Sequence, residues 1–254
     1  MEGLGQLLIS LDIFFLHGFL GSSSDGNQIE ELLKDRLSIR FKCQVHLVNY
    51  LTKEELNPQN DYTQFAKNFC EYVSKKNCQG KKILIGYSLG GRLALHVLKE
   101  DPLLFDQFIL ISSHTGLSSA EDRQNRLESD ELWAKRFLNE NLETVVADWN
   151  QQPVFNMGKL EPVRTPQEKD RKILALILRQ WSLGKQQDLS YLLSQYKERI
   201  HYCVGSVDSK FVCLTKEKIE PILKDRCHIV EASGHRIIFD NPIALVDIIS
   251  SILI

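Results

Sequence analysis

The sequence lacks an excess of charge of either sign, because 31 lysines and arginines are balanced by 33 aspartates and glutamates, for a formal net charge of −2. Nucleic-acid-binding proteins usually carry a strong excess of basic residues, so we expect no nucleic-acid partner. No apolar run approaches the ~20 residues that cross a bilayer, and the most apolar stretch, residues 7–20, is interrupted by Asp12 and His17. This stretch also has no basic flank and no small-residue cleavage site. We therefore expect a cytoplasmic protein with no membrane partner.

Sequence spacings that are typical of metal sites are missing as well. The six cysteines include no C-x-x-C pair, and the seven histidines include neither H-E-x-x-H nor H-x₃₋₅-H. Zinc sites built from neighbouring ligands usually show such spacings. We therefore expect reduced thiols, no bound metal and no cofactor.

The sequence does contain short apolar runs that alternate with amphipathic segments, which is typical of βαβ units and a mostly parallel sheet. Strands are predicted at residues 7–16, 43–49, 82–87, 108–112, 201–204 and 228–231. Helices are predicted at residues 25–37, 62–75, 89–100 and 242–253. We expect an α/β protein whose sheet is flanked by helices.

The segment between the fourth and fifth predicted strands has a different pattern. From about residue 119 to residue 199 it is rich in charged residues, follows a helical pattern and contains almost no strand signal. We predict a core formed by residues 1–113 and 200–254, with residues 114–199 inserted as a helical cap. Because both parts of the core supply strands to one sheet, the cap is an insertion between two strands rather than a separate tail.

Residues 86–91, Gly-Tyr-Ser-Leu-Gly-Gly, match the nucleophile elbow G-x-S-x-G. An apolar run leads into Ser88 and a helix-forming run follows it, which is the strand–turn–helix context that the motif requires. Glycines two residues before and after the serine permit a turn too tight for a Cβ. The turn exposes the hydroxyl at a helix N-terminus, where developing negative charge is stabilised. A chance glycine-rich turn is the alternative, and the flanking pattern favours the nucleophile.

The run His17-Gly18-Phe19 directly follows the first predicted strand. In this architecture that loop supplies one backbone N–H of an oxyanion hole, and the residue after the nucleophile supplies the other. We therefore predict the amides of Phe19 and Leu89 as the two donors. The side chain of His17 is predicted to fix the loop rather than to take part in the chemistry.

An acid and a base for Ser88 follow it in the chain order Ser…Asp…His that this architecture uses. Asp208 stands just after the fifth predicted strand, and His235 stands between the last strand and the last helix. Taken singly, the first could be a helix cap and the second an ordinary loop residue. Together with the elbow they predict a catalytic triad of Ser88, Asp208 and His235 in an α/β-hydrolase fold.

The positions of the arginines narrow the chemistry beyond a generic esterase or thioesterase. Arg92 is four residues after Ser88, about one turn away on the same helix face, and Arg236 directly follows His235. Because the guanidinium fork suits bidentate binding of carboxylates, a cation beside the nucleophile predicts a small polycarboxylate substrate. The cap adds six arginines, most of which we expect on solvated helix faces: Arg123, Arg126, Arg136, Arg164, Arg171 and Arg179.

Three stretches carry a family resemblance: Gly-Tyr-Ser-Leu-Gly-Gly-Arg at 86–92, Ala-Asp-Trp-Asn-Gln-Gln-Pro-Val-Phe at 147–155 and Asp-Ser-Lys-Phe at 208–211. In these the sequence resembles the 2-succinyl-6-hydroxy-2,4-cyclohexadiene-1-carboxylate synthases of menaquinone biosynthesis. The resemblance extends through residues 116–138 and covers most of the chain. The stretch at 147–155 is the most specific of the three, because it lies in the cap, where hydrolases differ most.

The resemblance implies a lyase acting on 2-succinyl-5-enolpyruvyl-6-hydroxy-3-cyclohexene-1-carboxylate, which carries three carboxylates and loses pyruvate. It implies that Ser88, activated by His235, removes a proton next to a carbonyl as a general base. Matching positions also assign substrate contacts to five residues: Tyr87, Arg92, Arg126, Trp149 and Arg179. The sequence around Arg179 departs from the family, which weakens the match at that position. The number of arginines supports it, because three arginines would bind three carboxylates.

Two other functions stay open at this point. A serine carboxylesterase or thioesterase would use the same triad through an acyl-enzyme on Ser88. A binding protein with a hydrolase fold would use no triad chemistry at all. The sequence indicates a monomer or a small homo-oligomer and does not distinguish between them.

Overall fold

The structure is a computed structural model that describes residues 9–52, 56, 58–158 and 164–254. Its sheet has six strands, β1 (Ile9–Leu16), β2 (Phe41–Val48), β3 (Lys81–Tyr87), β4 (Gln107–Ile111), β5 (Ile200–Gly205) and β6 (Cys227–Val230). The strand order is β2-β1-β3-β4-β5-β6, and every neighbouring pair is parallel. The prediction of an α/β fold with a mostly parallel sheet is confirmed.

Helices flank the sheet and fill the connections between its strands. The described residues form α1 (Asn27–Leu37), α2 (Tyr62–Ser74), α3 (Leu89–Glu100), α4 (Ala120–Asn139), α5 (Leu142–Asn150), α6 (Arg171–Gln180), α7 (Ser190–Gln195), α8 (Ser209–Leu214), α9 (Glu220–Leu223), α10 (Ile237–Asp240) and α11 (Pro242–Leu253). In the part of the chain that the structure covers, no helix combines the length and apolar character needed to cross a bilayer.

Strand β1 shows why the sequence forms a covered parallel sheet. Its residues are buried from Leu11 to Leu16, as expected for a strand with helices on both faces. The odd-numbered side chains belong to an apolar cluster that includes residues of α1 and α11. Phe14 and Leu16 point to the other face and belong to a second cluster with residues of α2 and α3.

Helices α4 to α7 all lie between β4 and β5, in the segment predicted as a helical cap. Their buried side chains, among them Phe137, Trp149 and Trp181, belong to the same apolar cluster as Phe14 of the sheet. The inserted helices are therefore packed onto the sheet by shared apolar contacts. The boundaries 114–199 for a cap, and 1–113 and 200–254 for a core, stay a prediction.

The bounds of the predicted strands and of the four predicted helices agree with the structure to within two residues where they can be compared. Residues 7 and 8 of the first predicted strand lie outside the described residues. The short helices α8, α9 and α10 were not predicted. The segments that follow β1, β3, β5 and β6 carry the predicted triad and oxyanion-hole residues. They leave the sheet on one side, at the carboxyl ends of the strands, because the strands are parallel.

Candidate active site

Ser88 occupies a strained turn between β3 and α3. Its backbone has φ 52° and ψ −108°, a conformation that costs energy for a residue with a Cβ and is typical of a nucleophile elbow. Two glycines allow the turn to form. A Cβ on Gly86 would lie 2.5 Å from the carbonyl oxygen of Gly90, and one on Gly90 would lie 2.1 Å from that of Leu16. The elbow is thereby pressed against the end of β1.

The structure brings the predicted triad together. Ser88 Oγ lies 3.1 Å from His235 Nε2, and His235 Nδ1 lies 2.9 Å from Asp208 Oδ2. Both His235 and Asp208 are buried. This is the geometry in which an imidazole can accept the serine proton while a carboxylate fixes its tautomer.

Local contacts hold the acid and the base in place. Asp208 is the N-cap of α8, and its Oδ1 accepts a hydrogen bond of 3.2 Å from the backbone N–H of Phe211. The loop that carries His235 is anchored one residue earlier, because the N–H of Gly234 donates to Asp240 Oδ2 at 2.8 Å. The Phe211 ring packs against the His235 ring, with 4.7 Å between centroids.

Phe19 and Leu89, the predicted oxyanion-hole residues, both line the cavity above Ser88. The loop after β1 approaches the nucleophile closely, since a Cβ on Gly18 would lie 3.6 Å from the Cβ of Ser88. Leu89 is the first residue of α3, so its amide belongs to the positive end of the helix. The role of the two amides as oxyanion donors stays a prediction.

His17, the first residue of the loop after β1, is fully buried and does not line the cavity. Its Nδ1 donates to the carbonyl of Gly18 at 2.9 Å, and its ring stacks on Tyr50 at 4.1 Å between centroids. Burial lowers the pKa of His17 to about 4. The side chain is thus placed to fix the loop.

The triad opens into a cavity of about 340 Å³, which is the size of a small-molecule site. Aromatic side chains form much of its wall, including Tyr87 beside Ser88 and Trp149 of α5. Trp149 packs against Phe19 with 4.6 Å between ring centroids and is only 9 % exposed. Both predicted aromatic contacts, Tyr87 and Trp149, are therefore at the cavity.

Positive charge dominates the rest of the wall. Five cationic side chains line the cavity: Arg92, Arg126, Arg164, Lys210 and Arg236. Among the described residues of the wall, one carboxylate, Asp130, accompanies them. Most of these cations are half-buried. An excess of positive charge that is partly withdrawn from water is costly without counter-ions, so the cavity is suited to an anionic ligand.

Arg92 lies at the cavity as its spacing from Ser88 predicted. Its Nη1 donates to the hydroxyl of Tyr62 and, at 2.9 Å, to the carbonyl of Trp181. In the described chain no carboxylate lies within ion-pair distance of Arg92. Burial lowers its pKa, and an anion in the cavity would offset that cost.

Arg126 of α4 also reaches the cavity, where its Nε bonds to both carboxylate oxygens of Asp130 at 2.8 and 2.9 Å. Lys210 of α8 lines the same cavity. Burial lowers the pKa of Lys210, and the charge of Arg126 lowers it further. The two cations therefore repel each other across the site.

The structure does not place Arg179 with the other predicted substrate contacts. This residue does not line the cavity but forms a two-point ion pair with Glu131, at 2.7 and 2.8 Å, on a solvent-exposed surface of α4 and α6. Arg179 stands at the end of α6. The packing of α6 on α4 determines which way that end faces, and no local pattern encodes this packing.

The cations that were not assigned to substrate from the sequence are Arg164, Lys210 and Arg236. Arg164 forms a buried two-point ion pair with Asp25, at 2.8 and 3.1 Å. Arg236 donates to the side chain of Asn150 at 2.6 Å and lies 4.2 Å from the centre of the Phe155 ring. Arg236 directly follows His235, and Lys210 stands two residues after Asp208. This closeness in sequence is the signal that could have placed these two cations near the triad.

Known proteins resemble this chain over most of its length. The alpha/beta hydrolase fold family matches residues 13–242. A 2-succinyl-6-hydroxy-2,4-cyclohexadiene-1-carboxylate synthase of Escherichia coli O1:K1 / APEC is 31% identical over 245 residues, which cover 95% of this chain and 93% of that protein. The chain belongs to the family of these synthases, within the α/β-hydrolase fold. It is therefore a member of an enzyme family.

One further curated relative and two solved structures show how far the similarity to this chain extends. The synthase of Klebsiella pneumoniae subsp. pneumoniae is 37% identical over 174 residues, or 67% of each chain. The solved structure of MenH from S. aureus has a TM-score of 0.75 at 23% identity and covers 96% of this chain and 93% of its own. A lipase-esterase related protein from Clostridium acetobutylicum has a TM-score of 0.61 at 16% identity, covering 95% of this chain and 93% of its own. These two structures show a shared fold.

Proposed function

We propose that this family member eliminates pyruvate from 2-succinyl-5-enolpyruvyl-6-hydroxy-3-cyclohexene-1-carboxylate to give 2-succinyl-6-hydroxy-2,4-cyclohexadiene-1-carboxylate. The observation that carries the proposal is a serine triad facing a cavity whose wall holds five cations and one described carboxylate. A substrate with three carboxylates matches this charge. The names of the curated relatives support the same reaction.

The proposed mechanism is a proton abstraction followed by loss of the leaving group. Ser88 Oγ takes a proton from the carbon next to a substrate carbonyl and passes its own proton to His235 Nε2. The electrons of the broken C–H bond collect on the carbonyl oxygen, which the amides of Phe19 and Leu89 stabilise. When this electron pair returns from the oxygen, the new double bond forms and enolpyruvate is expelled. Enolpyruvate accepts the proton from His235 and leaves as pyruvate.

The substrate carboxylates are assigned to the cations that line the cavity. Arg92 and Arg126 are retained from the sequence, and Lys210 takes the third position in place of Arg179. Arg92 is half-buried and Lys210 is exposed. Neither has a carboxylate at ion-pair distance in the described chain, and Arg126 adds repulsion to both. A bound polycarboxylate would relieve that repulsion, which is the electrostatic reason for this assignment.

A carboxylesterase or thioesterase is the second candidate, because the same triad geometry supports an acyl-enzyme. The solved structures with a shared fold include a lipase-esterase related protein. An acyl group trapped on Ser88 from p-nitrophenyl acetate, with a burst of p-nitrophenol and no release of pyruvate from the enolpyruvyl substrate, would favour this candidate.

The deciding experiment follows pyruvate release in a coupled assay for the wild type and matched variants. Ser88→Ala is expected to lower kcat by roughly 10²–10⁴-fold, the usual contribution of a general base. Arg92→Met is expected to lower kcat/KM by roughly 10–150-fold, since a hydrogen bond to a charged group contributes about 1.5–3 kcal/mol. Lys210→Met is expected to act mainly by raising KM.

Arg179→Met is the matched control, because it removes an arginine of α6 that lies outside the cavity. We expect its kcat/KM to stay within about twofold of the wild type, as is usual for surface substitutions. Equal losses in Arg92→Met and Arg179→Met would overturn the assignment of the carboxylate-binding residues. A wild type that releases no pyruvate would overturn the proposed function itself.

A further inference from the structure

Three potential metal ligands meet on the sheet at a distance from the cavity. Asp12 on β1, His46 on β2 and Cys78, which precedes β3, each place one ligand atom within 4.8 Å of the other two. Asp12 is four residues before the end of β1, about 13 Å from the edge that carries Ser88 at the usual rise per strand residue. None of the three side chains lines the cavity.

The surroundings of Asp12 indicate a site rather than an ordinary surface cluster. Asp12 is only 4 % exposed, and a buried carboxylate is costly unless other groups satisfy it. His46 Nε2 lies 2.9 Å from Asp12 Oδ1, and the thiol of Cys78 places its sulfur within 4.8 Å of a ligand atom of each of them. The His46 ring is fixed in turn by stacking on Phe14, with 4.3 Å between ring centres.

We propose that Asp12, His46 and Cys78 bind one zinc-type divalent cation, with water as the fourth ligand. A thiolate, an imidazole and a carboxylate are the donors that Zn²⁺ uses, and three protein ligands with one open position form a tetrahedral site. Mg²⁺ and Ca²⁺ prefer oxygen donors throughout, so this set of ligands selects against them. His46 and Cys78 are partly exposed, which leaves the ion a path from solvent.

The backbone already holds the ligands near the required geometry. Zn–S, Zn–N and Zn–O bond lengths place donor atoms roughly 3.3–3.7 Å apart around a tetrahedral ion, so the observed spacings need changes of only about 1 Å. Strands β1 and β2 fix Asp12 and His46 through their paired register. The loop of Cys78 is pressed onto β1, since a Cβ on Gly80 would lie 1.8 Å from the carbonyl oxygen of Ser10.

The test uses the full chain, treated with a chelator and then titrated with Zn²⁺ in a calorimeter and with Co²⁺ in a spectrophotometer. The wild type should bind one equivalent of Zn²⁺ and show a thiolate-to-cobalt charge-transfer band. Cys78→Ser should bind Zn²⁺ at least tenfold more weakly and lose that band, and Asp12→Asn should bind more weakly while retaining it. Cys213→Ser is the control, because Cys213 is an exposed thiol outside the cluster.

Two results would overturn the proposal: a wild type that binds no stoichiometric Zn²⁺, or a Cys78→Ser variant that binds as tightly as Cys213→Ser. The wild-type titration is decisive even if a variant fails to fold. The readouts are metal affinity and a spectrum, and none of the three ligands touches the cavity. Failure of this proposal is therefore distinguishable from failure of the proposed pyruvate elimination.

Discussion

At the scale of single residues, Asp208 has two contacts that can be separated by mutation. One carboxylate oxygen faces His235, and the other caps α8 by accepting from the N–H of Phe211. Asparagine caps helices about as well as aspartate, but it cannot hold the imidazole in the tautomer that accepts the serine proton. We expect Asp208→Asn to lower kcat for pyruvate release by roughly 10³–10⁴-fold while Tm changes little.

Asp208→Ala is the comparison that separates the two contacts. It should lose activity to a similar degree and also lose the cap, which typically contributes ~1 kcal/mol to stability. Urea unfolding of both variants measures the difference. If Asp208→Asn kept more than a tenth of wild-type kcat, Asp208 would not be the acid that orients His235.

The contrast between Arg92 and Arg179 shows how much of the site could be predicted. Arg92 was predictable because the elbow fixes Ser88 at the start of α3, and helix geometry then determines where a residue four positions later points. The position of Arg179 depends on how α6 packs, which is a tertiary property. Arg92 could therefore be predicted from its fixed relation to the nucleophile, whereas Arg126 and Trp149, on the packed helices α4 and α5, were predicted only through the family resemblance.

At the scale of elements, a substitution of Gly90 near the start of α3 tests how closely the elbow packs against β1. Alanine favours a helix over glycine by about 1 kcal/mol, so propensity alone predicts that Gly90→Ala is stabilising. A Cβ there would lie 2.1 Å from the carbonyl oxygen of Leu16, and overpacking of this kind usually costs about 1–3 kcal/mol. We expect a net decrease in the free energy of unfolding by urea, together with loss of activity.

The matched control is Glu100→Ala, an exposed position at the other end of the same helix. It should leave stability within about 0.5 kcal/mol of the wild type. An unfolding free energy of Gly90→Ala equal to or above that of the wild type would contradict the close approach of the elbow to β1.

The buried ion pair between Arg164 and Asp25 links two other elements, the segment before α6 and the turn before α1. Removing one partner leaves a buried, unpaired charge, which typically costs about 3–5 kcal/mol. We expect Arg164→Met to lower the free energy of unfolding by that order. Adding Asp25→Asn should restore part of the loss.

A double-mutant cycle by urea unfolding measures this coupling between the two side chains. Additive effects of Arg164→Met and Asp25→Asn would show that the pair contributes no interaction energy.

Long, strongly patterned elements such as α3 and α11 were predicted at their observed bounds. This ion pair was not predictable, because its partners are separated by 139 positions and no sequence motif relates them.

At the scale of the whole molecule, the fold creates neighbours that sequence spacing cannot show. Asp12, His46 and Cys78 come from three different segments, and only the parallel register of β1 and β2 and the close approach of Gly80 bring them together. The expectation of no metal site rested on linear spacing. Sequence spacing reveals metal ligands that come from one turn or loop. It cannot reveal ligands that come from separate strands and meet only in the folded sheet.

The same burial makes the stability of the molecule depend on pH. Desolvation lowers the pKa of His17, His96 and His114 to about 4, 3 and 4, from the value of about 6.5 that a histidine has in an unfolded chain. Between pH 6.5 and pH 4 the unfolded chain therefore binds more protons than the folded one, and stability falls as pH falls. We expect the urea midpoint at pH 5 to be clearly below that at pH 7.

His96 is the residue that tests this explanation, because it does not line the cavity and its ring stacks on Tyr62 at 4.3 Å. In the described structure its Nε2 has no hydrogen-bond partner, so the folded state gains nothing from protonation there. A single buried histidine of this kind accounts for up to about 1.4 kcal/mol per pH unit. His96→Leu should thus flatten the dependence of unfolding free energy on pH between 6.5 and 5, whatever packing it costs at pH 7. A variant whose pH slope equals that of the wild type would mean that the desolvated imidazole at position 96 is not a source of the acid sensitivity.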